Sequence, residues 1–141
     1  MPRFLTPEWI AALDEAARHL AVPAGVRLTI QQVVTAAGEG GGEIRYHLVV
    51  EDGRLRVHPG DASAADVTLV QSQEVAAALS RGELNAQQAL GAGRLKLRGD
   101  IGRLAREGRA LTAVEDVFAA VRAATVYDDG APRKGAPPDP G

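Results

Sequence analysis

The sequence contains no cysteine among its 141 residues. That excludes disulfides, thiolate catalysis and cysteine-ligated metal, and it fits a reducing compartment. No charge excess stands out either. Sixteen Lys and Arg against eighteen Asp and Glu leave a formal charge of -2, whereas phosphate binding needs a clustered cationic surplus, so nucleic acid is excluded as the main partner. No run is long and apolar enough to span a bilayer as a helix. The first residues lack the basic and hydrophobic regions of a signal peptide, and the last three, Asp139-Pro140-Gly141, are no peroxisomal address. A cytoplasmic protein is the expectation. A catalytic signature is also missing. Ser63, Ser72 and Ser80 have no histidine at a nucleophile's spacing, and the carboxylates Glu8, Asp14, Glu15, Glu74, Glu83, Glu107, Glu115 and Asp116 fall at helix starts or on polar faces, where they read as solvated charges. Neither an enzyme nor a cofactor is expected.

What is present is an ordinary globular composition, 45% hydrophobic, at a length suited to one core. From Asp128 onward the string DDGAPRKGAPPDPG cannot build one. A single domain over residues 1–127 and a disordered tail over 128–141 are therefore expected. Preference for Ala, Gly and Arg over Lys associates the chain with a GC-rich bacterial genome.

The chain opens on a specified helix start. Thr6 stands at the N-cap, Pro7 at the first helical position, Glu8 near the positive dipole end, and Leu5 with Ile10 as a hydrophobic staple. Trp9, Leu13, Ala16, Ala17 and Leu20 continue one apolar face, and Trp9 reads as core. Val26 to Ala36 is a strand with Val26, Leu28, Ile30 and Val34 on one side, interrupted by Gln32. That amide reads either as a strand end or bulge, or as a polar group meeting a ligand or water. The Gly38–Gly42 segment lacks the spacing of a nucleotide-binding loop and reads as a connection. Asp52-Gly53 marks a two-residue hairpin. Counting outward pairs Val50 with Leu55, Leu48 with Val57 and His47 with His58, placing Tyr46 and Ile44 with the apolar pairs and both histidines on the opposite face. Two facing imidazoles without a third ligand read as surface histidines in preference to a metal site.

Residues 65–111 alternate strand and capped helix. Val67, Leu69 and Val70 form a strand, Ser72 caps a helix carrying Val75, Ala78 and Leu79 on one face, and Gly82 ends it. Asn85 and Gln88 spell a capping box before Ala86, Ala89 and Leu90, with Gly91 and Gly93 as stops. Arg94, Leu95, Lys96, Leu97 and Arg98 then alternate as a half-buried strand, one face apolar and the other cationic. Gly99 ends it, and Asp100 caps a long final helix whose stripe is Ile101, Leu104, Leu111, Val114, Phe118 and Val121. Gly102 and Gly108 interrupt that helix, as bend points or as tolerated glycines.

This order resembles the sterol carrier protein type 2 family. The resemblance rests on Asp66-Val67-Thr68-Leu69, on Leu79 to Leu84, and on Gln88-Ala89-Leu90 leading to Gly93-Arg94-Leu95-Lys96-Leu97 and Gly99-Asp100. The chain departs from the family in having Leu90 where a bulky Phe or Met often stands. The resemblance implies an α+β fold, a five-stranded, mostly antiparallel twisted sheet covered by helices, enclosing an apolar tunnel for sterols, fatty acids or acyl thioesters. Residues on inward faces, the expected tunnel lining, are Ile30, Tyr46, Leu48, Val67, Leu69, Leu79, Leu90, Leu95, Leu97, Leu104, Leu111 and Phe118. Non-catalytic binding or transport of a hydrophobic small molecule is the expected function. The alternative is an interaction module that buries its apolar face against a second copy, as a homodimer, or against a lipid or quinone enzyme it assists. Periodicity alone does not separate a hollow interior from a filled one.

Overall fold

Asp52 and Gly53 both adopt positive φ, 53° and 75°, the left-handed pair that lets a two-residue turn follow the twist of its strands. They join β2 (Ile44–Glu51) to β3 (Arg54–Pro59). The register is the one counted from the turn: Val50 meets Leu55, Leu48 meets Val57 and His47 meets His58. The computed structural model describes residues 2–35 and 42–127; most of the Gly38–Gly42 connection and the whole 128–141 tail lie outside them.

Three further strands complete the sheet: β1 (Leu28–Thr35), β4 (Val67–Ser72) and β5 (Lys96–Gly99). The spatial order is β3-β2-β1-β4-β5, with β1 and β4 parallel and every other pair antiparallel. This is the expected α+β architecture. Leu28, Ile30, Tyr46, Leu48, Val50, Leu55, Val57, Val67 and Leu69 all turn to one face and are buried there. Helices cover that face: α1 (Pro7–Ala17) lies on β3, and α5 (Gly108–Arg122) packs against both α1 and α2 (Gln73–Arg81). The short α3 (Ala86–Gly91) and α4 (Ile101–Arg106) complete the set. None of the helices among the described residues is long and apolar enough to cross a membrane.

The helix boundaries follow local chemistry. Thr6, Ser72, Asn85 and Asp100 each accept a backbone N–H at an N-cap, the Asn85–Gln88 capping box is complete, and Gly82 closes α2 at φ 80°. The long final helix, however, is two. Glu107, at φ -104° and ψ 42°, breaks the run between α4 and α5, so the glycine at 108 marks a bend. Ile101, expected in the buried stripe, is 57% exposed, because α4 turns Leu104 and not Ile101 to the core. The buried face of α2 is Val75, Ala76, Ala77 and Ser80, with Leu79 only partly covered.

Two carboxylates expected or quoted from sequence hold the sheet's margins. Asp66 accepts the Thr29 N–H through Oδ2 (2.8 Å), while its own backbone bonds Thr29 and Asp100; it ties β1 to the turn after β5. That turn needs Gly99. Its φ is 101°, and a Cβ there would lie 2.5 Å from the Asp66 carbonyl oxygen. Asp14, expected as a solvated charge, is instead largely covered. Its Oδ1 accepts from Val57 N and Arg56 Nε (2.9 Å each) and its Oδ2 from Arg56 Nη2 (3.0 Å). An outward N–H of the edge strand β3 is thereby capped, which blunts that edge against pairing with another chain. The segments before α1 and after α5 also meet, through a parallel bridge between Arg3 and Val126.

Candidate functional site

Where α2, α3 and α5 cross the β1–β4–β5 side of the sheet, the packing leaves a cleft. Its floor is Gln32 of β1, Leu69 and Gln71 of β4 and Leu95 just before β5; its cover is Leu79, Ala86, Leu111, Val114, Glu115 and Phe118. The space holds about 30 Å³, room for a water or two. The tunnel expected from the sequence is thus a narrow cleft in this structure. Two larger depressions, about 340 and 350 Å³, lie around Arg54 and Arg56 and are polar and open to solvent.

Of the twelve residues expected to line an apolar site, Leu69, Leu79, Leu95, Leu111 and Phe118 border this cleft. Ile30, Tyr46, Leu48, Val67 and Leu104 are buried elsewhere in the same core, and Leu90 and Leu97 pack partly buried against it. Tyr46 lies wholly inside, where burial pushes its phenol well above the usual range. Trp9 is fully buried and stacks on Phe118 (centroids 6.1 Å apart, planes at 19°), with Phe4 and Tyr46 edge-on to it. The one tryptophan of the chain therefore touches the wall of the cleft from behind. Its Nε1 has no hydrogen-bond partner among the described residues.

Gln32 is neither a strand end nor a bulge. It sits mid-strand in regular register, between Tyr46 on β2 and Leu69 on β4. Its amide is 4% exposed at the residue level, that of Gln71 6%, and Gln71 Nε2 donates to Gln32 Oε1 at 2.6 Å. Sequence reasoning noted the first glutamine and missed the second, although Gln71 carries the same mark: with Val67 and Leu69 it forms the inward side of β4, and it breaks that side's apolar character. Ala86 and Val114, read from sequence as apolar helix positions, and Glu115, read as a solvated charge, were not expected in the lining. Glu115 is the only ionisable lining residue among those described, and its Oε2 accepts the Ala86 N–H (3.3 Å).

Other sequence candidates have structural places. His47 and His58 face each other across β2 and β3 (5.3 Å) on the open side of the sheet, with His47 Nδ1 3.0 Å from the Gly60 carbonyl. No cluster of three metal-ligating side chains occurs among the described residues. Ser72 caps α2, and the Ser80 hydroxyl lies 2.7 Å from that of Tyr127.

The family model described as the SCP-2 sterol transfer family matches residues 14–111. A crystal structure of sterol carrier protein 2 aligns with 85% of this chain and 98% of its own at 16% identity and a TM-score of 0.62. The sterol carrier protein domain 2 of Helicoverpa armigera aligns with 85% and 90% at 22% identity and a TM-score of 0.56. A double mutant of a sec-alkyl sulfatase aligns with 73% of this chain but only 16% of that enzyme, at 21% identity and a TM-score of 0.51. No curated protein matches at a significant level. At these identities the structural likeness is one of fold.

Proposed function

The chain belongs to the SCP-2 sterol transfer family, and from that membership we propose that it binds a hydrophobic small molecule between sheet and helices and carries it unchanged. The observation that supports this is the cleft itself: an apolar wall of Leu69, Leu79, Leu95, Leu111 and Phe118 with one buried amide pair on its floor. Such a site supplies displaceable apolar surface and a polar point of orientation. Burying about ten methylenes at about 0.8 kcal/mol each gives roughly 8 kcal/mol before ordering costs are deducted. That is a micromolar-scale term, sufficient for a carrier that must also release.

A ligand of that size requires the cover to move. Leu79, Ala86 and Leu111 are only partly buried, α3 is six residues long, and the break at Glu107 uncouples α5 from the strand-anchored α4. These are the weak points of the cover, and few buried contacts hold them. A cytoplasmic carrier is consistent with the cysteine-free composition. The test is native mass spectrometry of freshly purified protein, followed by titration with a lipid while Trp9 emission is recorded. A bound lipid, or saturable change in emission with one-to-one stoichiometry, is the expected result. Protein that arrives empty and leaves Trp9 unchanged at every lipid concentration would overturn the carrier reading.

A further inference from the structure

We propose that the Gln32–Gln71 pair makes the cleft selective for a neutral, hydroxyl-headed amphiphile over a carboxylate of the same chain length. The inference rests on the carrier reading and adds the chemistry of the ligand's head. Each primary amide has two donors and one acceptor oxygen. With Gln71 Nε2 spent on Gln32 Oε1, the pair still offers the amino group of Gln32 and the carbonyl oxygen of Gln71. Turning both amides over exchanges the two roles and leaves the same complement of donors and acceptors. Both side chains line the cleft and both are nine-tenths or more buried.

A hydroxyl both donates and accepts, so one alcohol oxygen can receive a Gln32 N–H and give its own proton to Gln71 Oε1. A carboxylate only accepts. It would satisfy the amino group while facing the Gln71 oxygen with negative charge, and among the described residues the lining holds no Lys, Arg or His to compensate it. Glu115, the one ionisable lining residue among those described, is an exposed acid and repels an anion further. Donor–acceptor matching and the sign of the local charge thus point the same way.

The experiment compares 1-dodecanol with dodecanoate at pH 8, following Trp9 emission and confirming stoichiometry by native mass spectrometry. For the unaltered protein, dodecanol binds at least about tenfold more tightly. In the double variant Gln32→Leu/Gln71→Leu, two amides that bond each other are replaced together by apolar groups of similar size, which spares the fold an orphaned polar group; dodecanol weakens about tenfold and the preference shrinks to the part that Glu115 sets. Glu115→Gln keeps an acceptor for Ala86 N and, being on an exposed helix position, keeps the fold; it strengthens dodecanoate more than dodecanol and so narrows the preference. Equal or tighter dodecanoate binding in the unaltered protein would overturn the selectivity while leaving the carrier reading standing. Binding of neither ligand would overturn both.

Discussion

Replacing Asp14 with Asn tests whether one carboxylate really secures the sheet's outer edge. The Arg56 guanidinium, bidentate on Asp14, and the Val57 N–H hold the carboxyl at about 2, against an ordinary value of 3.8. At about 1.4 kcal/mol per pH unit this corresponds to roughly 2.5 kcal/mol of native-state preference for the charged form. Asp14 itself is only 15% exposed, but the Arg56 side chain is 42% exposed. Solvent screening therefore reduces the expected loss in D14N to about 1.5 kcal/mol. The sign of the pH dependence follows from the lowered value. Asp14's contribution is complete above the unfolded value near 3.8 and disappears as pH falls toward 2. Urea unfolding of both proteins at pH 7, 4 and 2.5 provides the assay, since the other carboxylates cancel in the difference. The gap should be about 1.5 kcal/mol at pH 7 and shrink steadily below pH 4. A gap that stays constant through that range would refute the charge argument and leave only the hydrogen-bond geometry. D14A, which also strips the acceptor from Val57 N, should cost about 1 kcal/mol more than D14N.

Gly99→Ala should destabilise by at least about 2 kcal/mol, because a left-handed backbone and a clash with the Asp66 carbonyl act together; an unchanged thermal midpoint would show that the turn relaxes freely. Leu111→Trp should fill the cleft and abolish lipid uptake in native mass spectrometry, at a stability cost of about 1–3 kcal/mol from overpacking; undiminished uptake would place the ligand elsewhere. Gly108→Ala should raise the midpoint slightly, by about 0.5 kcal/mol, since a Cβ there meets nothing within 4 Å; a fall would mean that the break at Glu107 depends on glycine.

How much of this was legible in the sequence depends on how far each feature reaches along the chain. The Asp52–Gly53 hairpin, its register and the caps at Thr6, Ser72, Asn85 and Asp100 involve residues only a few positions apart, and each came out as its local chemistry dictates. Asp14 and Val57 are forty-three positions apart, so nothing on α1 announces that its polar face will meet an edge strand. The final helix misleads for a different reason. Its apolar spacing runs through residue 107, whereas the backbone breaks at Glu107 and buries Leu104 on one side of the break and Ala110 on the other.

The glutamine pair lies between these cases. Each member shows locally as a polar residue on an otherwise apolar strand side, a conflict of pattern that has to be settled by a partner or a function. That the two resolve each other depends on β1 and β4 running parallel with Val34 opposite Gln71 and Gln32 opposite Leu69, a pairing that neither strand shows by itself. Two leucines would have closed this part of the core more simply, since mutually bonded buried amides gain little over apolar groups of the same shape. Stability alone therefore gives no reason for glutamine at both positions, whereas a cleft that must orient a ligand's head does.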